Sequence, residues 1–165
     1  MNLDVIEKGD ILVENGKIKE IKADISSCES CDIIDASGKM VFPGFIDAHC
    51  HIGMWEEGIG FEGDDGNEMT DPITPQLRAI DAINPMDEAF ENAIKGGVTT
   101  AATGPGSANV IGGTFPVLKL HGKRVKDMVM VENLAMKCAF GENPKRVYAE
   151  KKAMPTTRMG TAAKL

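Results

Sequence analysis

Two short runs near the start of the chain, Asp10-Ile11-Leu12-Val13-Glu14 and Lys17-Ile18-Lys19-Glu20-Ile21, flank the dipeptide Asn15-Gly16. Alternation of apolar and polar positions argues strands, and Asn-Gly tolerates the positive φ of a type I′ turn, so a β-hairpin is predicted here. Asp32-Ile33-Ile34-Asp35, the turn Ala36-Ser37-Gly38-Lys39 and the run Met40-Val41-Phe42 predict a second strand–turn–strand unit. Residues 1–40 therefore read as a small β module.

From Val41 the pattern changes to strand and helix in alternation. Pro43-Gly44 sets the entry to Phe45-Ile46-Asp47-Ala48, a mostly apolar run suited to a buried strand. A loop from about Gly53 to Ile83 follows. Asn84 is then a helix-capping residue, Pro85 suits the first helical position, and Asp87 and Glu88 fall in the first turn, where the helix dipole favours acids. Met86, Ala89, Phe90, Ala93 and Ile94 form one apolar stripe, and Gly96-Gly97 ends the helix. Val98 to Thr103 is a second strand. Strand, helix and strand in this order predict a parallel βαβ unit. Further on, Phe115–Leu120 and Val125–Met130 fit a hairpin around Gly122. Residues 136–140 are open between strand and helix, Ala149–Lys152 fits a helix before a break at Pro155, and Thr156 onward starts like a capped helix.

Composition narrows the class. With 165 residues, 42% hydrophobic and 26% charged, the chain is sized for about one globular domain. No apolar run approaches the roughly 18 residues of a membrane span, and Met1-Asn2-Leu3-Asp4 lacks the character of a secretion signal, so a cytoplasmic location is expected. A net charge of −7 argues against a general affinity for nucleic-acid phosphates. Four cysteines do not suggest a disulfide scaffold.

Asp47-Ala48-His49-Cys50-His51 carries the sharpest chemistry. Residues two apart on a strand share a face, so both imidazoles can converge on one metal ion, while Cys50 points the other way as a small buried residue. The carboxyl end of a parallel strand is also where α/β sheets and barrels hold their sites. The run from Val41 to His51 resembles the first barrel strand of the amidohydrolase superfamily of metal-dependent hydrolases, and the hairpin before it is similar to that superfamily's N-terminal β module. Gly96–Thr100, Gly104–Asn109 and Gly141–Lys145 are similar to its imidazolonepropionase-related branch.

This resemblance implies a partial (β/α)8 TIM-type barrel over residues 41–165, preceded by a β module that forms part of a composite β-sandwich. It implies His49 and His51 as metal ligands, with zinc the leading ion and iron or manganese alternatives. The implied activity is hydrolysis of a C–N bond, amide or cyclic amide-like, in a small molecule. Family members complete the site from later strands with a bridging Lys or Glu, two further histidines and a late Asp. Here the one other histidine, His121, lies beside Gly122 in an expected turn and reads as an ordinary exposed residue. Two histidines alone would hold metal weakly, so the chain by itself is expected to be inactive. The alternative is a non-catalytic truncated or split-gene module. Unclosed strands would favour self-association or a complementing C-terminal segment.

Other features carry weaker readings. Cys28-Glu29-Ser30-Cys31 is open between a redox pair, half of a zinc site and a plain turn between strands. The acidic stretch Glu56, Glu57, Glu62, Asp64, Asp65, Glu68 and Asp71 contains no basic residue; it reads as a solvated, mobile loop, or as a source of negative potential above the site. Gly104–Gly113 matches no phosphate-binding fingerprint and reads as a loop lining a barrel mouth. Met128, Met130 and Met136 read as core filling.

Overall fold

Asn15 and Gly16 both take positive φ, 53° and 71°, and turn β1 (Asp10–Glu14) back into the antiparallel β2 (Lys17–Lys22), as the dipeptide predicts. A register shift between Leu12 and Val13 bulges the ladder. The computed structural model describes residues 5–25 and 30–165. The described residues divide into two compact units, one up to Val41 and one from Phe42 onward. In the first unit the second expected strand pair does not form. Its turn does, with Gly38 at φ 72° and Lys39 N–H donating to the Ala36 carbonyl at 2.9 Å, but residues 30–44 contain no strand. Ile33 and Ile34 are 87% and 90% exposed. Alternation creates a strand only where a neighbouring strand accepts its hydrogen bonds, and among the described residues none is there to do so.

The second unit is built on one four-stranded sheet in the order β3-β4-β5-β6. β3 (Phe45–Cys50) leads through α1 (Glu88–Lys95) to β4 (Val98–Thr103), which pairs with it in parallel as the βαβ reading expects. β5 (Ile111–Lys119) then runs antiparallel to β4, and β6 (Val129–Cys138) antiparallel to β5. The sheet is therefore mixed. The expected hairpin exists, but its second strand starts at Val129, because residues Val125–Met128 coil into a single helical turn, α2. Residues 136–138 resolve as the end of β6. α3 (Glu142–Glu150) begins earlier than residue composition suggested, and α4 (Arg158–Lys164) is capped by Thr157, whose hydroxyl accepts from Gly160 N–H at 3.0 Å.

α1 starts three residues later than its first capping candidate. Asn84 spends its side chain locally, its carbonyl oxygen accepting from Met86 N–H at 3.0 Å and its amide donating to Glu56 at 2.6 Å. Asp87 caps instead: one carboxylate oxygen accepts from Ala89 N–H at 3.1 Å and from Glu57 N–H at 3.3 Å, so the same group starts the helix and pins the preceding loop. Met86 consequently falls outside the helix and is exposed, while Phe90 is buried. Gly97, at φ 87°, closes the far end in a conformation that favours glycine.

The core lies between β4, β5, α1 and the long loop. Met54, Ile83, Phe90, Ala101, Leu118 and Met128 are its main contributors. The edges differ from the centre. Phe45 and Ile46 on β3 are 57% and 72% exposed, so the first strand is not the buried strand its apolar sequence suggests. Met130 and Met136 on β6 are also exposed, leaving Met128 as the methionine of that group which fills core. β3 and β6 are the sheet's two outer strands, and burial needs something packed on them. Among the described residues no helix is long and apolar enough to cross a membrane.

Candidate functional site

The alternation of β3 carries His49 and His51 to the same side, with ring centroids 5.3 Å apart and planes at 76°. Cys50 turns the opposite way, as expected. Its thiol is free, lies 3.6 Å from the Ala102 carbonyl, and is pushed up in pKa by burial.

Each imidazole has its own support. Nδ1 of His51 is 2.6 Å from the Gly104 carbonyl oxygen, just past the end of β4. A carbonyl can only accept, so Nδ1 carries a proton, and in the neutral ring it is Nε2 that offers a lone pair to another partner. The Trp55 ring meets His51 edge-on at 5.1 Å. His49 lies over Phe115 of β5, with centroids 5.3 Å apart and planes 21° from parallel. Lys137, near the end of β6, places Nζ 3.3 Å from His49 Nε2 and 5.9 Å from the centre of the same Phe115 ring. The lysine amine is the donor, so His49 Nε2 accepts. Burial lowers the His49 pKa, and the nearby Lys137 and His51 lower it further against a smaller opposing effect of Asp47. Burial likewise lowers the pKa of Lys137.

The donor set suits a divalent ion in part. Two neutral imidazoles on one face are good ligands for such ions, and the tautomer of His51 is already the one that exposes Nε2. Among the described residues no third His, Cys, Asp or Glu joins them in a group able to hold a metal. His121 follows β5 at the amino end of β4, where Leu120 N–H donates to the Thr99 carbonyl, and is exposed at the opposite end of the sheet from His49 and His51. Asp47 is turned back on its own strand, accepting from His49 N–H at 3.0 Å.

The remaining sequence candidates resolve as structure. The acidic stretch is folded onto itself by local hydrogen bonds: Trp55 pairs with Asp64, Thr70 donates to Glu68, and Asp71 accepts from Ile73 N–H. The glycine-rich loop after β4 is mostly buried and is pinned through its backbone: Gly106 N–H donates to the Gly66 carbonyl at 2.8 Å and Ala108 N–H to the Asn67 side chain at 3.0 Å. Of the cysteine pair, Cys28 lies outside the described residues.

No family model matches the chain. Among solved structures, an amidohydrolase from Thermotoga maritima MSB8 is similar over 93% of this chain and 40% of its own, with 49% identity and a TM-score of 0.86. Amidohydrolase tasK of Hapsidospora irregularis is 38% identical over 92% of this chain and 17% of its own length. A dihydroorotase of Caldicellulosiruptor saccharolyticus is 54% identical over 30% of this chain and 12% of its own length. The homology is to the amidohydrolase superfamily. This amidohydrolase-related chain spans less than half of each of these relatives. Phe115 and Lys137 were not singled out as site residues from the sequence, and Gly104 was read there only as part of a loop lining a barrel mouth; they reach the histidines because β4 ends beside β3 and because β5 and β6 fold back as a hairpin.

Proposed function

We propose that this chain carries the first part of the metal site of a hydrolase acting on a C–N bond in an amide or cyclic amide, with His49 and His51 as two ligands of the ion. The single observation that carries the reading is the paired imidazoles at the carboxyl end of β3, one of them locked by the Gly104 carbonyl into the tautomer that offers Nε2. The homology with an amidohydrolase and a dihydroorotase supports it. A bound divalent ion would lower the pKa of a water toward neutrality and polarise the substrate carbonyl. Zinc suits imidazole ligands best, with iron or manganese as alternatives. Lys137, whose Nζ is 3.3 Å from His49 Nε2, would stand beside the ion in this reading. Residues 41–165 would then form the opening strands and helices of a (β/α)8 barrel, in the imidazolonepropionase-related branch that the segments 96–100, 104–109 and 141–145 resemble.

With two histidines at the site and no third acidic or thiol ligand among the described residues, the chain alone is expected not to turn over substrate. The exposed apolar residues of β3 and β6 favour self-association or a complementing C-terminal segment. Zinc or cobalt titration of the chain, with His49→Ala and His51→Ala, tests the assignment: both variants should lose bound metal, and unchanged metal content in both would overturn it.

The same missing ligand favours a second reading, a non-catalytic module that serves as an assembly or binding partner. The coding sequence past Leu165 separates the two. Further histidines and a late aspartate in frame would support the enzyme, and a stop there would support the module.

A further inference from the structure

We infer that Phe115 is the positioning residue of this site: its ring is the floor on which His49 and Lys137 are set side by side, and Gly104 lacks a side chain to make room for it. The inference rests on the metal reading above for its purpose, and on the contacts of this chain for its substance.

Three independent contacts converge on the one ring. His49 stacks on it nearly face to face, at 5.3 Å and 21°. The Lys137 ammonium lies 5.9 Å from its centre, in reach of a cation–π attraction. A Cβ added to Gly104 would overlap it, so the residue whose carbonyl holds His51 must be glycine for the ring that holds His49 to fit. One side chain thus couples the aim of both imidazoles. Phe115 is itself 4% exposed and sits on a central strand, whereas His49 is on an exposed edge strand whose side chains have few other neighbours. A rigid, buried ring is what an imidazole on such a strand needs to hold one rotamer, and support of this kind around a metal ligand is worth about 10–100-fold in metal affinity.

The antiparallel course of β5 makes the arrangement possible. A strand running the other way presents Phe115 at the end of the sheet where β3 and β4 finish, close to His49, Gly104 and Lys137 together.

The test is Phe115→Leu in the full chain, read without metal and then with cobalt. In the metal-free protein, proton and nitrogen resonances of the imidazoles should show His49 shifted upfield by the underlying ring, with cross-relaxation between the His49 and Phe115 ring protons. Phe115→Leu should abolish that shift while leaving His51 in its Nδ1–H tautomer. Cobalt should then bind about 10-fold or more weakly to a variant that still unfolds cooperatively. Unchanged His49 resonances in folded Phe115→Leu, or cobalt binding as tight as in the wild type, would overturn the inference. So would absence of the cross-relaxation in the wild type, a measurement that needs no variant to fold. If the wild type binds no cobalt at all, the metal reading fails, and the positioning role is decided by the resonances alone.

Discussion

The centre of the sheet and its two outer strands are made of similarly apolar residues and live in different surroundings. On β4 and β5, Ala101, Phe115 and Leu118 are between 0 and 4% exposed. On β3 and β6, Ile46 and Leu134 are 72% and 53% exposed. Each central strand has a neighbour on both sides and the long loop or α1 against its face, whereas each outer strand has one neighbour and little else among the described residues. The difference shows where the chain's own stability is generated. It also places the candidate site on the boundary: the two imidazoles come from an outer strand and the ring beneath His49 from a central one.

The sharpest way to break the comparison is to cut the centre. Leu118→Ala should destabilise the chain by about 2–5 kcal/mol in denaturant unfolding, the range for leucine truncation in a packed core. A smaller loss is expected beside it, where Tyr148 O–H donates to Asn109 at 2.6 Å while Asn109 donates to the Glu68 carbonyl and to Thr74, knotting α3, the loop and the start of β5. Tyr148→Phe leaves the Asn109 oxygen without its donor and should cost about 1–3 kcal/mol. Burial first, then Asp71 and Glu68, push the Tyr148 pKa up to about 12. Because the folded pKa is the raised one, the stability it contributes is present below the ordinary value near 10 and is lost as pH climbs toward about 12. The alkaline melt of Tyr148→Phe should lack that component.

At the loop boundary, Asp87→Ala removes the cap of α1 and the anchor of Glu57, for a loss of about 1 kcal/mol by thermal or chemical melt. The second Asp87 oxygen is buried without a hydrogen-bond partner, so Asp87→Ser, which keeps a capping oxygen and drops the orphan, should lie close to the wild type. The smallest effect sharpens the comparison from the other side. Leu134→Ala on the exposed outer strand should change stability by no more than about 0.5 kcal/mol. A loss as large as that of Leu118→Ala would mean that Leu134 is covered in solution.

Local chemistry was legible wherever a residue's conformation is set by its immediate neighbours. Asn15-Gly16 could only be a tight turn, Gly96-Gly97 could only stop a helix, and the spacing of His49 and His51 put them on one face before any fold was known. Burial was not legible in the same way. Ile46 and Ile33 have core-type side chains, and whether such a side chain is covered depends on what packs against it. The helix start moved from Asn84 to Asp87 because two capping residues three apart competed, and the loop's need for an acceptor at Glu57 N–H favours the second.

The amino-acid sequence by itself determined the hairpin, the βαβ unit with its paired imidazoles, and the family resemblance carried by the first strand, because each depends on residues close together in the chain. Only the tertiary structure decided that β5 runs against its neighbours and that Phe115, Gly104 and Lys137 surround His49 and His51. Those contacts join residues more than fifty positions apart, and a pattern of local preferences contains no information about which distant strands will lie side by side.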